Sequence, residues 1–175
     1  GKSLADAVIQ DKAVKVGILS GNQRQLGMRQ RLKSVKDNLA EAGIEISWIL
    51  SEKELDKKMR NVEYFTENPV DAVISLENDD TEKAVDIILN HDSISWKLYG
   101  EGRSEKLIYY LDKGTIQELA VPNEYYMGYQ SIVLAAQNIR YYTDKTERAD
   151  VEFYMVSKDN LYAEETSRIL FPTVR

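Results

Sequence analysis

The polar residues best suited to recognition follow short apolar runs. Asn22, Arg24 and Arg29 come after Lys15–Leu19; Glu77, Asn78, Asp79 and Asp80 after Ala72–Leu76; Glu101, Gly102 and Arg103 after Trp96–Tyr99; Pro122 and Asn123 after Gln117–Val121. An Arg one turn into a helix offers a planar fork of donors suited to vicinal hydroxyls or a carboxylate, and an Asn offers donor and acceptor from one group. This chemistry is polar recognition rather than proton transfer. Arg29, Asn78, Asp79, Glu101, Arg103 and Asn123 are therefore the candidate ligand contacts. The plainer alternative is that Arg29 is a solvated helix residue and that Asn78 or Asp79 caps a helix.

Other chemistries lack their residues. With no Cys and a single His, His91, thiolate catalysis, disulfides, zinc fingers and multi-His metal sites are all excluded. His91 stands between Asn90 and Asp92 at a helix end, where a cap or surface role suffices. The acidic run Glu77-Asn78-Asp79-Asp80 could hold a divalent metal or accept a phosphoryl group, as in receiver domains. Such a site also needs acidic residues after the first strand and a Lys after the fifth, where this chain has Ser20-Gly21-Asn22 and Val121-Pro122-Asn123. Acidic residues opening a helix are favoured by its dipole without any metal. Gly17, Gly21 and Gly27 match neither phosphate-cradling pattern, and no Ser-centred nucleophile elbow is present. The expectation is a non-enzyme with no cofactor and no metal.

The elements that must position these residues can be read from periodicity. The chain has 175 residues, 43% hydrophobic and 30% charged, the range of one soluble globular domain. Its net charge of −6, without a basic stripe, argues against a nucleic-acid partner. The longest apolar runs, such as Ile132–Ala136, fall far short of the roughly 20 residues a membrane span requires. Strands are expected at 15–19, 45–50, 72–76, 96–99 and 117–121. Helical patterns lie between them: Leu32, Val35, Leu39; Leu55, Met59, Val62; Thr81 to Leu89; and Glu105 to Lys113. Strands alternating with helices predict an α/β fold with an open parallel sheet covered on both faces, whose ligands sit beyond the carboxyl ends of the strands. After Val121 the rhythm breaks into a long helix from Glu124 to Tyr142, a polar connection at 143–148, a strand from Val151 to Val156 and a helix from Asn160 to Leu170. Tyr125, Tyr126 and Tyr129 read as a packing face. The opening Gly1-Lys2-Ser3-Leu4 carries neither an initiator Met nor a signal peptide, so a processed chain or a piece of a longer one is expected.

Several short motifs in order carry a family resemblance: Arg29-Gln30-Arg31, Asn78-Asp79, Tyr99-Gly100, Asp112-Lys113-Gly114, Tyr126-Met127-Gly128-Tyr129 and Ser157-Lys158-Asp159-Asn160. With them the chain resembles the carboxyl-terminal half of type I periplasmic binding proteins, the sugar-binding proteins of ABC transporters, and the effector domains of lactose-repressor-like regulators. The resemblance implies one lobe of a two-lobed fold with strand order 2-1-3-4-5. It divides the chain into an α/β lobe at 1–122, a hinge-crossing helical segment at 123–150 and a returning strand and helix at 151–175. The family's ligand-binding Arg falls on Arg29 and its Asn on Asn78, whereas its Asp falls on Gly102, between Glu101 and Arg103, and its hinge polar residue on Pro122, beside Asn123. The implied function is non-catalytic, extracytoplasmic solute binding for an ABC importer or a membrane sensor, working by hinge closure on a small polar ligand such as a sugar. An exported protein, with a signal peptide in its gene, goes with that reading. The alternative is the cytoplasmic effector domain of a transcriptional repressor. A homodimer through the 124–142 helix is also expected, because that helix's usual partner lobe is missing.

Overall fold

The computed structural model describes residues 1–141 and 152–171. Its strands are the apolar runs: β1 (Lys15–Leu19), β2 (Glu45–Leu50), β3 (Ala72–Ser75), β4 (Lys97–Glu101) and β5 (Ile116–Pro122). They lie in the order β2-β1-β3-β4-β5, every neighbouring pair parallel, as expected. A sixth strand, β6 (Phe153–Ser157), extends the same sheet antiparallel to β5, with Val156 opposite Leu119 and Pro122 opposite Phe153. The late strand thus comes back into the same sheet. Its pairing covers the β5 edge, which would otherwise leave a row of unpaired N–H and C=O groups.

Helices α1 (Lys2–Gln10), α2 (Leu26–Glu41), α3 (Glu52–Lys58), α4 (Glu63–Glu67), α5 (Asn78–Asn90), α6 (Glu105–Lys113), α7 (Glu124–Tyr141) and α8 (Glu164–Leu170) complete the fold. Alternation along the strands sorts the core into two layers. Val16, Ile18, Ala72, Ile74 and Tyr99 pack with Leu4 and Val8 of α1 and Val35 and Leu39 of α2. Leu19, Val73, Leu98, Leu119 and Val121 pack on the opposite face with Leu55, Phe65, Val85, Leu107, Leu111 and Leu170 of α3, α4, α5, α6 and α8. Gly17 is required between these layers, since a Cβ there would collide with the Trp48 ring. That ring packs against Phe65 at 5.7 Å and Trp96 at 5.9 Å between centroids.

Three helices differ from the sequence reading. Leu55, Met59 and Val62 do not share one helix, because α3 opens with a Ser51–Glu54 capping box, closes on Lys57 and Lys58, and is separated from α4 by a turn. Lysines in a last turn complement the helix dipole and favour that stop. Helix α5 begins earlier than Thr81, at Asn78. Helix α8 begins at Glu164 instead of Asn160, whose side chain is engaged with the end of β6: its Oδ1 accepts from Ser157 N at 2.8 Å and its Nδ2 donates to Met155 O at 3.0 Å. Tyr142, Val151 and the polar connection at 143–148 lie outside the described residues. Helix α7 leaves the sheet after β5 with Tyr125, Tyr129, Ile132 and Ile139 exposed.

Candidate functional site

The loops at the carboxyl edge of the sheet are tied together before any ligand is considered. Thr81 Oγ1, on the first turn of α5, lies 2.8 Å from Glu77 O, 3.0 Å from Ser75 Oγ and 3.0 Å from Glu101 O, joining the ends of β3 and β4. Glu77 accepts from Asn22 N at 3.1 Å and so anchors the loop after β1. On this frame Arg31 of α2 reaches over the edge. Its Nη1 donates to Leu76 O at 3.1 Å and its guanidinium pairs with Glu101, the last residue of β4. Burial pushes the Glu101 carboxyl up from its ordinary value, and the Arg31 guanidinium opposes that rise.

Arg31 and Glu101 form the polar wall of a cavity of about 340 Å³. Leu4, Ala120, Pro122, Met127 and Phe153 supply an apolar wall, and Glu124 the rim. At this corner the chain leaves the sheet and comes back: Pro122 and Phe153 are paired, and Asn123 N donates to Glu152 O at 3.0 Å. A cavity with one apolar wall and one ion-paired wall of donors and acceptors can seat a small molecule that carries both hydroxyls and C–H faces.

The sequence matches the family described as periplasmic binding protein domain over residues 1–142. The chain belongs to that family. The fold of this periplasmic binding protein domain is shared with solved structures of low sequence identity. A carbohydrate-transporter solute-binding protein from Agrobacterium radiobacter, in complex with D-arabinose, is 19% identical with a TM-score of 0.83, covering 97% of this chain and 61% of that one. The Caulobacter myo-inositol binding protein, bound to myo-inositol, is 17% identical with a TM-score of 0.81, covering 96% of this chain and 60% of that one. The XylFII–LytSN complex is matched at 13% identity with a TM-score of 0.74, covering 90% of this chain and 58% of that one. The chain thus spans about 60% of the length of the proteins it resembles. No curated protein matches it.

The expected contacts of this periplasmic binding protein domain are only partly brought together. Glu101 faces the cavity, and Arg103 stands at its border, paired with Glu124 at 3.5 Å. Asn78 is engaged within the protein: its Oδ1 accepts from Arg103 N at 3.3 Å and its Nδ2 donates to Glu82 at 3.2 Å. Asp79 is exposed on the first turn of α5, 3.4 Å from Asn78 Nδ2. Asn123 caps α7, its Oδ1 accepting from Tyr126 N at 3.0 Å. Arg29 is exposed, its Nη1 within 3.2 Å of Gln23 O and 3.1 Å of Arg24 O. The guanidinium on the cavity wall is that of Arg31, the second Arg of Arg29-Gln30-Arg31, which the sequence reading passed over. Its signal was present in the helix phase: Arg31 lies three residues after buried Met28 and four before buried Val35.

Gly102 adds a departure of its own. Its φ is +139°, and a Cβ would collide with Asn78 Oδ1 and Leu107. The space a side chain would need there is filled by the Asn78 amide, and the carboxylate that lines the cavity is that of Glu101, one residue earlier.

One further acidic group is unusual. Asp80 is fully buried at the start of α5, and neither carboxylate oxygen has a hydrogen-bond partner. Lys83 Nζ lies 3.6 Å from it and pairs with Asp56 of α3 at 2.7 Å. Burial pushes the Asp80 carboxyl up to about 6, with Lys83 opposing the shift and Glu77 and Glu52 adding to it.

Proposed function

We propose that this chain forms one wall of the ligand cleft in a two-lobed, non-catalytic receptor for a small sugar-like molecule. The receptor acts outside the cytoplasmic membrane and serves an ABC importer or a membrane sensor. The observation that carries the reading is the Arg31–Glu101 pair on the cavity wall at the carboxyl edge of β4, beside the corner where β5 leaves and β6 enters. A guanidinium and a carboxylate held together offer donors and acceptors side by side, the complement of a vicinal diol. Leu4, Met127 and Phe153 give the C–H face of such a ring an apolar surface. The polyhydroxylated molecules bound by two fold neighbours, D-arabinose and myo-inositol, are of this chemical kind.

The mechanism is hinge closure: contacts from both lobes favour the closed form, and a membrane partner reads the shifted population. The XylFII–LytSN complex, which shares this fold, supports a second protein as one such partner. Because a single wall makes part of the contacts while association still costs its full entropy, binding by this chain alone should be near millimolar, about −4 kcal/mol. Saturation-transfer NMR with arabinose, xylose, glucose, fucose and myo-inositol tests the reading. Transfer to at least one of them, lost in Glu101→Gln, is expected; transfer to none, or transfer that survives Glu101→Gln, would overturn it.

A further inference from the structure

The two ends of the Arg31–Glu101 cavity differ in chemistry, and the order of the strands sets them apart. Glu101, at the end of β4, is opposite Ala120 of β5, and Pro122 of β5 is opposite Phe153 of β6. Two strand spacings, about 10 Å, separate the Glu101 column from the Phe153 column. At the first stand the Arg31 guanidinium and the Glu101 carboxylate. At the second the cavity is lined by Pro122, Phe153 and Met127, the last from the first turn of α7. The backbone there is committed to the protein itself. Pro122 carries no N–H, Ala120 O accepts from Gly102 N at 3.3 Å, and Asn123 O accepts from Met127 N at 3.0 Å. Glu124, the charged group of the rim, lies 3.5 Å from Arg103.

A cavity of about 340 Å³ is at the small end of ligand pockets and suits one sugar ring. A ring whose vicinal hydroxyls meet Arg31 and Glu101 turns its far substituent towards Met127 and Phe153. A methyl group in that place buries apolar area against carbon and sulfur. A hydroxymethyl group gives up water at the same wall, and those side chains return no hydrogen bond, which weakens binding. We infer that the cleft selects a 6-deoxy sugar, its vicinal hydroxyls at the Arg31–Glu101 end and its methyl group against Met127 and Phe153. The inference rests on the carbohydrate reading of the cleft and deepens it: the ligand class is the deoxy sugar rather than its hydroxylated parent. An apolar pocket discriminates against one added hydroxyl by about a hundredfold at most. Met127 is 41% and Phe153 50% exposed, so the wall stays partly wet in this chain and about tenfold is expected.

The test titrates three pairs of sugars that differ only in the hydroxyl at carbon six into the chain by NMR: D-fucose and D-galactose, L-rhamnose and L-mannose, D-quinovose and D-glucose. In at least one pair the deoxy member should bind about tenfold more tightly than its partner. Met127→Gln, which sets an amide where the thioether was, should shrink that ratio to about threefold or less while the unfolding midpoint stays that of the wild type. Sugar binding that Glu101→Gln abolishes, with no pair favouring its deoxy member or with a ratio that Met127→Gln leaves unchanged, overturns the methyl seat and leaves the cleft reading intact. Binding of arabinose or myo-inositol but of none of the six has the same meaning. Binding of no sugar at all overturns both.

Discussion

Replacing Asp80 by Asn should change how stability depends on pH. In the folded protein the Asp80 carboxyl titrates near 6 instead of its ordinary 3.8, because burial penalises the charged form more than Lys83, 3.6 Å away, can offset. That displacement corresponds to about 3 kcal/mol favouring the neutral acid, at 1.36 kcal/mol per pH unit. Since the folded value is raised, the native state binds this proton more tightly than the unfolded chain. The linked stability is therefore fully present below about pH 4 and is lost as pH rises through about 6. Asn cannot ionise, so the variant lacks this loss. Packing differences and any orphaned amide proton add a constant that does not depend on pH, so the informative quantity is how the stability difference between variant and wild type changes. It should shift towards the variant by up to about 3 kcal/mol between pH 4 and 7.5. Urea unfolding followed by fluorescence of the buried Trp48 and Trp96 at four pH values measures it. Glu52, Glu77, Lys83 and Asp56 surround or reach the group, and all four are the same in both proteins. Parallel pH profiles for the two proteins would refute the reasoning.

Three other outcomes are expected. Arg31→Ala should weaken sugar binding about ten- to hundredfold, the worth of hydrogen bonds from a charged group, and Arg29→Ala should do less; the reverse order in a titration would return the contact to Arg29. Gly102→Ala should destabilise by about 2 kcal/mol or more in urea unfolding, since φ is +139° and the Cβ meets Asn78 and Leu107; an unchanged midpoint would refute the crowding. With Tyr125 86%, Ile132 72% and Ile139 77% exposed along α7, light scattering should show self-association that Ile132→Asp reduces; a strict monomer at high concentration would contradict it.

What could be read in advance follows the range of the signals. Lys15–Leu19 and Ala72–Ser75 are near-continuous apolar runs closed by polar loops, a local pattern that fixes both strand and loop. Strand β6 has an equally legible local pattern, but its antiparallel seat beside β5 depends on a pairing that no local period encodes. The break between α3 and α4 was hidden because Leu55, Met59 and Val62 keep helical spacing across it. At the site, residue type was legible and direction was not. Arg29 and Arg31 are the same residue two positions apart, about 200° around a helix, and only Arg31 meets Leu76 O and Glu101. Asn78 was legible as polar, whereas its engagement by Arg103 N depends on the left-handed turn at Gly102.

The pairing of Pro122 with Phe153 has a use in protein engineering. Antiparallel strands held in register can be joined by two residues in a type I′ turn, for which Asn-Gly is the preferred pair. Residues 123–152 form an excursion whose two ends are already hydrogen-bonded neighbours, Asn123 N to Glu152 O. Excising it in favour of such a turn would turn β5 and β6 into a hairpin and remove α7 with its exposed rings. The product would be a minimal six-stranded scaffold that keeps Arg31 and Glu101, while Met127 and Glu124 leave the cavity wall.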